Sequence, residues 1–332
     1  MKIKQALWAI AASGLIACNS NTPQTAESKT LAEGIWQGTI NQNDSTELKF
    51  NFKVSKLSDS SYSFNISNAG EITEAKMLQI APDSFRVEMP AFANYLLVKS
   101  EGNALKGYYV NPDADDYRLP FSAKAGVEER YENTQHLYPI PGYWKMVFNP
   151  GTEDEKAALA HFDWEIDKGV YASIMTATGD YRFLEGSGAA GKLRFSTFDG
   201  AFLYYFEADL HDTMQGRFYS GRSGYSTWIA YRDSSFSLPN PDSLTYIKEG
   251  YEGFDFAFPN LEGDTLGLDD SRFEDKAVII QISGSWCPNC YDESRYLSEV
   301  YGQYKDQGLE IVCLSFERAR DYATAQKRLA KF

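Results

Sequence analysis

Gly284-Ser285-Trp286-Cys287-Pro288-Asn289-Cys290 decides the fold of the carboxyl-terminal part of the chain. Before it, Ala277-Val278-Ile279-Ile280-Gln281-Ile282 is a short apolar run rich in β-branched residues, the pattern of a strand buried on both faces. After it, Leu297, Val300, Tyr301 and Tyr304 recur at helical spacing. The spacing predicts a helix from about Pro288 to Asp306, with Asp292 and Glu293 in its first turn and Gly308 as its C-cap. A second apolar strand, Glu310-Ile311-Val312-Cys313-Leu314-Ser315-Phe316, follows, and residues 319–332 are helical in character. Strand, helix, strand predicts a parallel pair with a right-handed crossover. Two thiols three residues apart, where a strand turns into a helix, form a dithiol/disulfide site.

Composition narrows the function. The 332 residues allow two or three domains. Aromatic residues make up 15%, which favours β-rich structure. A formal net charge of −14 repels phosphate backbones and anionic lipid headgroups, so nucleic acid is not an expected partner. Four cysteines are too few for a disulfide-stapled scaffold. The first, Cys18, follows a start with Lys2 and Lys4 and an apolar segment, 6–17, too short to span a bilayer as a stable helix. Leu15-Ile16-Ala17-Cys18 resembles a bacterial lipobox, which implies acylation of Cys18 and a membrane anchor. Asn19 rather than Asp at the next position matches the enteric sorting rule that favours the outer membrane. The expected layout is a signal peptide (1–17), a polar lipidated tether (18–30), two β-rich repeats (31–138 and 139–233), a linker (234–253) and a final domain (254–332).

The middle of the chain reads as antiparallel β structure that repeats itself. Alternating runs such as Leu48-Lys49-Phe50-Asn51-Phe52-Lys53-Val54 are separated by turn residues such as Asn68-Ala69-Gly70. Gly34-Ile35-Trp36 is echoed by Gly142-Tyr143-Trp144, Phe85 through Phe92 by Phe195 through Phe202, and Leu105-Lys106-Gly107 by Met214-Gln215-Gly216. All three matches share nearly one offset, the mark of a single duplication. Each copy is expected to be a β-meander, closed on itself or paired with the other. Gly186-Ser187-Gly188-Ala189-Ala190-Gly191-Lys192 imitates a phosphate-binding loop, but Leu193 and a strand pattern follow, so a hairpin turn is expected. Asp113, Asp115 and Asp116 lack the Gly and distal Glu of a calcium loop and read as a solvated turn. His136, His161 and His211 have no paired-ligand spacing. Tyr181-Arg182-Phe183 and Tyr204-Tyr205-Phe206 read as sheet packing rather than a binding groove.

Ahead of the Cys pair, Phe254 to Pro259 and Gly263 to Leu268 suggest a hairpin. Ser285-Trp286-Cys287-Pro288-Asn289-Cys290 after an apolar strand resembles the active site of the thioredoxin superfamily. The hairpin, Glu293 three residues after the second Cys, and the lipobox resemble its TlpA/ResA-like branch of membrane-attached thiol-disulfide oxidoreductases. The resemblance covers about 254–332. It implies a multidomain protein, an all-β duplicated region plus an α/β thioredoxin-like domain, acting without a cofactor. It also implies protein disulfide substrates, a membrane-bound electron donor and a cell-envelope location. Cys287, at the helix start, is then the nucleophile and Cys290 the resolving thiol. Pro288 suits the first helical turn, where a missing N–H costs nothing. Trp286 packs beside the site. Glu293 either moves protons at Cys290, by the same resemblance, or is a carboxylate of the kind any helix start favours. Cys313, mid-strand, reads as an inert core thiol.

Other readings are weaker. A peroxiredoxin-type peroxidase needs Thr or Ser three residues before its Cys, where this chain has Gly284. A structural disulfide, a metal module or a binding lipoprotein led by its β repeats are the remaining alternatives. The family usually places Pro second between the cysteines; here Pro288 is first and Asn289 second. The thioredoxin fold also has two further strands, a final helix and a cis-proline loop beyond the point this sequence reaches. The resemblance therefore implies an incomplete domain with little turnover of its own.

Overall fold

The computed structural model describes residues 31–132, 140–165 and 169–332. The signal segment, Cys18, His136 and Pro139 lie outside them. Two eight-stranded barrels come first. The first runs β1 (Gly34–Asn43), β2 (Thr46–Lys56), β3 (Ser61–Asn68), β4 (Glu71–Ala81), β5 (Ser84–Glu88), β6 (Tyr95–Ser100), β7 (Ala104–Val110) and β8 (Arg118–Ala125). The second runs β9 (Gly142–Phe148), β10 (Lys156–Glu165), β11 (Gly169–Thr176), β12 (Gly179–Ala189), β13 (Lys192–Phe198), β14 (Leu203–Asp209), β15 (Thr213–Ser220) and β16 (Gly224–Tyr231). Each is an antiparallel meander whose first strand also pairs with its last, β1 with β8 and β9 with β16. Of the two arrangements the repeat allowed, each copy closes on itself.

The duplication extends to single atoms. Trp36 and Trp144 are buried at matching places, and each indole N–H donates to the carbonyl four residues earlier, Ala32 and Ile140. Phe85 and Phe195 are both core residues. Gly107 and Gly216 are both sites of close backbone approach: a Cβ would stand 1.9 Å from the Leu97 carbonyl oxygen in one and 2.4 Å from that of Glu207 in the other. The phosphate-loop look-alike is the end of β12 and a turn at Ala190-Gly191 leading into β13.

Both barrels are filled. Phe50, Phe52, Phe64, Phe85 and Trp36 occupy the first; Trp144, Phe162, Phe195, Phe206 and Trp228 occupy the second. Stacked and edge-to-face rings dominate, as in the Phe195–Phe206 pair at 5.0 Å. Interiors of this kind are closed to a bound ligand.

The barrels are joined by packing and by a buried cation. Phe198 of β13 sits 4.5 Å from Phe50 across the junction. Arg130, 4% exposed, donates to the backbone oxygens of Ser67 (2.5 Å) and Ser196 (2.9 Å) and to the side-chain oxygens of Asn51, Asn68 and Glu185. Burial lowers its proton affinity and the Glu185 carboxylate partly restores it.

An exposed linker leads to the last domain. It holds a short hairpin, β17 (Ala257–Pro259) with β18 (Thr265–Gly267), then β19 (Ala277–Ser283), α1 (Pro288–Tyr304), β20 (Leu309–Ser315) and α2 (Tyr322–Leu329). β19 and β20 pair in parallel, as the strand-helix-strand pattern requires. Gly308, at φ 94°, caps the short 3-10 turn that ends the helical segment.

Two expectations need correction. The strand Ala277 to Ile282 is not buried on both faces. Val278 and Ile280 pack on Phe256 and Phe273, while Ile279 is 37% and Ile282 72% exposed. Cys313 is exposed, not a core thiol, because it pairs in register with Gln281 on the face away from that small core. Asp113, Asp115 and Asp116 are exposed, as a solvated turn requires, and two of them also make ion pairs. Asp113 pairs with Arg328 of α2 (2.5 Å) and Asp115 with Arg320 (2.8 Å), so the turn carries part of the contact between barrel and last domain.

The barrel junction yields a stability prediction. Arg130→Ala leaves two carbonyls, two amides and Glu185 without their donor, at an expected cost of about 3–5 kcal/mol. A urea unfolding midpoint, measured on the barrel pair and on the full chain, checks it.

Candidate active site

The site is built where β19 ends. Gly284 and Ser285 are buried, and Cys287 is the N-cap of α1 in extended conformation. Its sulfur accepts the backbone N–H of Cys290 at 3.2 Å, and its carbonyl accepts from Tyr291 N–H. Cys287 and Cys290 are joined as a disulfide with Cα atoms 5.2 Å apart. Pro288 is buried in the first turn, where it removes no helical hydrogen bond. The structure thus brings Trp286, Cys287, Pro288 and Cys290 together at one strand-to-helix junction.

Asp292 and Glu293 lie beyond the first turn, which holds no acidic residue, and this corrects the sequence expectation. Glu293 accepts from the side-chain amide of buried Gln281 at 2.9 Å, and the same amide lies 3.4 Å from the Cys290 carbonyl. Ser294 donates to the other end of Gln281 at 3.0 Å. Gln281 therefore ties the middle of β19 to the turn of α1 that carries Cys290. Glu293 is held against that turn, not free at a helix start.

A second clamp grips the loop before the thiols. Glu317 accepts from the Ser285 N–H (2.8 Å), the Ser285 hydroxyl (2.7 Å) and the Ser315 hydroxyl (2.5 Å). Partial burial pushes the Glu317 carboxyl up, but these hydrogen bonds, led by the Ser285 N–H, outweigh it and hold the group below its usual range. Trp286 donates its indole N–H to the Phe316 carbonyl at 2.9 Å, and the Arg318 guanidinium covers its ring at 3.9 Å. Trp286 is thus pinned beside the disulfide.

The helix start also meets the barrels. Arg182 of β12 donates to the Asn289 side-chain oxygen (3.0 Å) and to Asp292 (2.5 Å). Asn289 lies 3.3 Å from Asp180 Oδ1 through its amide. Tyr291 packs on Phe92 and on Phe332, and Lys331 donates to the carbonyls of Met89 and Phe92. A cavity of about 420 Å³ lies at this junction, lined by Glu71, Phe92, Arg182, Pro288, Tyr291 and Asp292 among others. His161 lies tilted against the Tyr143 ring and His211 is exposed, and among the described residues no group of His, Cys, Asp and Glu is arranged to hold a metal.

Sequence reasoning missed Gln281, Glu317 and Arg182. Gln281 had a visible signal, an amide inside an otherwise apolar strand. Glu317 had none, since its role depends on how the loop after β20 folds back. Arg182 stood inside an aromatic cluster read as packing; Tyr181 and Tyr204 do pack within the second barrel, but Arg182, on β12 itself, sends its guanidinium to the start of α1.

Comparison with known proteins fits this geometry. Residues 250–331 match the AhpC/TSA family model. Over 65 residues the chain is 38% identical to thiol-disulfide oxidoreductase ResA of Bacillus thuringiensis, covering 20% of this chain and 36% of that protein. Over 85 residues it is 29% identical to thiol:disulfide interchange protein DsbE of Vibrio cholerae, covering 26% of this chain and 44% of that one. The carboxyl-terminal part is TlpA/ResA-like. The chain therefore spans about 36% and 44% of the length of these two curated relatives. A solved protein of unknown function from Nostoc punctiforme matches 61% of this chain at 12% identity with a TM-score of 0.21, too low to bear on the fold.

The loop before the thiols yields a prediction. Glu317→Ala leaves the Ser285 N–H and two hydroxyls without their acceptor, an expected loss of about 1–3 kcal/mol, read as faster amide exchange at Ser285. A carboxyl held below its usual value stabilises fully above the ordinary carboxylate range and loses that contribution as pH falls through the lowered value. Ser285 protection should therefore persist at neutral pH, collapse on acidification, and lose this acid step in the variant.

Proposed function

We propose that the protein is an envelope thiol-disulfide oxidoreductase, a disulfide reductase tethered to the membrane by an acylated Cys18. The observation that carries this reading is the Cys287–Cys290 disulfide at the capped start of α1, with the Cys290 N–H aimed at the Cys287 sulfur. In the reduced pair, that N–H and the positive end of the helix stabilise a Cys287 thiolate.

The thiolate attacks one sulfur of a substrate disulfide, forming a mixed disulfide and expelling the other substrate sulfur as a thiolate. Cys290, deprotonated, attacks the Cys287 sulfur and releases the second substrate thiolate. Two electrons pass to the substrate, the expelled thiolates take up two protons, and the pair is left oxidised as in this structure. Glu293, held beside the Cys290 turn by Gln281, is placed to receive the Cys290 proton through solvent. Trp286 limits water at the sulfur. A membrane-bound reductant returns the two electrons.

The lipid anchor and the outer-membrane preference rest on the sequence around Cys18 and Asn19 alone. Among the described residues no helix is long and apolar enough to cross a membrane. The filled barrels argue against a ligand carrier, so their contribution is through their surfaces.

The test is reduction of a model disulfide by the pre-reduced full-length gene product. Cys287→Ser is expected to lower the rate to background. Cys290→Ser should instead accumulate a mixed disulfide with the substrate, visible as an added mass that a reductant removes. A Cys287→Ser variant as active as the parent protein would sink the reading.

A further inference from the structure

Arg182 belongs to the wall of the second barrel, yet its side chain ends inside the redox motif. Its backbone adopts φ 66°, a conformation non-glycine residues rarely take, and the Asp180 carboxylate accepts its N–H at 2.8 Å. Strain of this kind persists only where the surroundings over-determine it. The side chain is 8% exposed and its guanidinium forks in two directions. Toward the barrels, Nη2 donates to Glu71 at 2.8 Å and Nε stands 3.2 Å from Asp199. Asp199 is itself fixed by the N–H groups of Ala201 (3.0 Å) and Phe202 (2.8 Å). Toward the redox domain, Nη1 reaches Asn289 at 3.0 Å and Asp292 at 2.5 Å.

Asn289 lies between the two cysteines, and Asp292 is two residues past the second. The residue type matters. A proline at position 289 has no side-chain acceptor and would leave this arm of the fork empty. Here the amide is gripped from both ends, by Arg182 at its oxygen and by Asp180 at its nitrogen. The electrostatics are asymmetric as well. One guanidinium faces the carboxylates of Glu71, Asp199 and Asp292, with Asp180 beside them, so the cluster is net negative. Arg182 is what screens that charge from the start of α1.

We propose that Arg182 is a positioning residue for the dithiol, a cation supplied by the barrel that fixes Asn289 and Asp292 and thereby sets the reduction potential of the Cys287–Cys290 pair. This rests on the oxidoreductase reading above. The disulfide carries no charge and the thiolate does, so nearby charges act on the reduced form. Loss of Arg182 exposes the thiolate to the carboxylates, disfavours the reduced pair and makes it a stronger reductant. Loss of the Asp292 charge does the reverse.

The experiment equilibrates the full-length protein in glutathione redox buffers and counts oxidised pairs by alkylation mass, in a Cys313→Ser background. Arg182→Met is expected to shift the equilibrium about threefold to tenfold toward the disulfide, roughly 14–30 mV more negative at 29.6 mV per tenfold. Asp292→Asn, on a half-exposed side chain that threatens no fold, is expected to shift it the opposite way. Arg182→Lys keeps the charge and is expected to stay closer to the parent than Arg182→Met does. Opposite signs are the readout that loosened packing alone would not give. Equal potentials in all variants, or Arg182→Met and Asp292→Asn moving in the same direction, would overturn the proposal. A parent pair that never exchanges with glutathione would instead overturn the oxidoreductase reading itself.

Discussion

Closure of each eight-stranded sheet is the constraint from which the rest follows. A closed barrel has no free edge, so every strand spends its backbone donors and acceptors on neighbours. Its interior is then small enough for aromatic side chains to fill it, and both copies are packed in this way. The barrels become a rigid double platform, locked by Arg130 and by Phe50 against Phe198. On such a platform Arg182 can be held in a strained conformation and aimed at another domain. A flexible support would relax the strain and lose the aim.

The redox domain is the opposite case. Its two parallel strands bury little, and Phe256, Phe273 and Val312 make its whole fully buried apolar core among the described residues. What orders the site is a set of polar clamps: Gln281 on the Cys290 turn, Glu317 on the Ser285 loop, the Phe316 carbonyl on Trp286. Docking on the barrels adds Tyr291, Lys331 and the pairs from Arg320 and Arg328. The geometry around the sulfurs is therefore distributed over three parts of the chain.

This distribution explains what could be read from the sequence. The strand, the helix and the Cys pair were legible because periodicity and spacing are local. The duplication was legible because Trp36 and Trp144, or Gly107 and Gly216, answer the same steric demand twice. Closure of each copy was not, since a meander that closes and one that pairs with its twin share one alternation. The exposure of Ile279 and Cys313 was missed because a β-branched run states apolarity and not what covers it. The acidic turn at Asp113 and Asp115 was legible as solvated, but its ion pairs were not, because Arg320 and Arg328 lie some two hundred residues away in the chain. The helix start at Pro288 was read correctly, but Asp292 and Glu293 were counted into a first turn that ends before them.

Asn289 gives the redox motif a property its spacing does not suggest. Two sulfurs and the residues between them are usually thought of as a cassette, movable from one scaffold to another with its chemistry intact. Here the cassette has a side chain facing outward, and its receptor is a different domain. Replacing the amide, or removing the barrel, leaves the other partner of these hydrogen bonds unmatched. In this chain the motif and the platform are joined side chain to side chain, although they fold around separate cores.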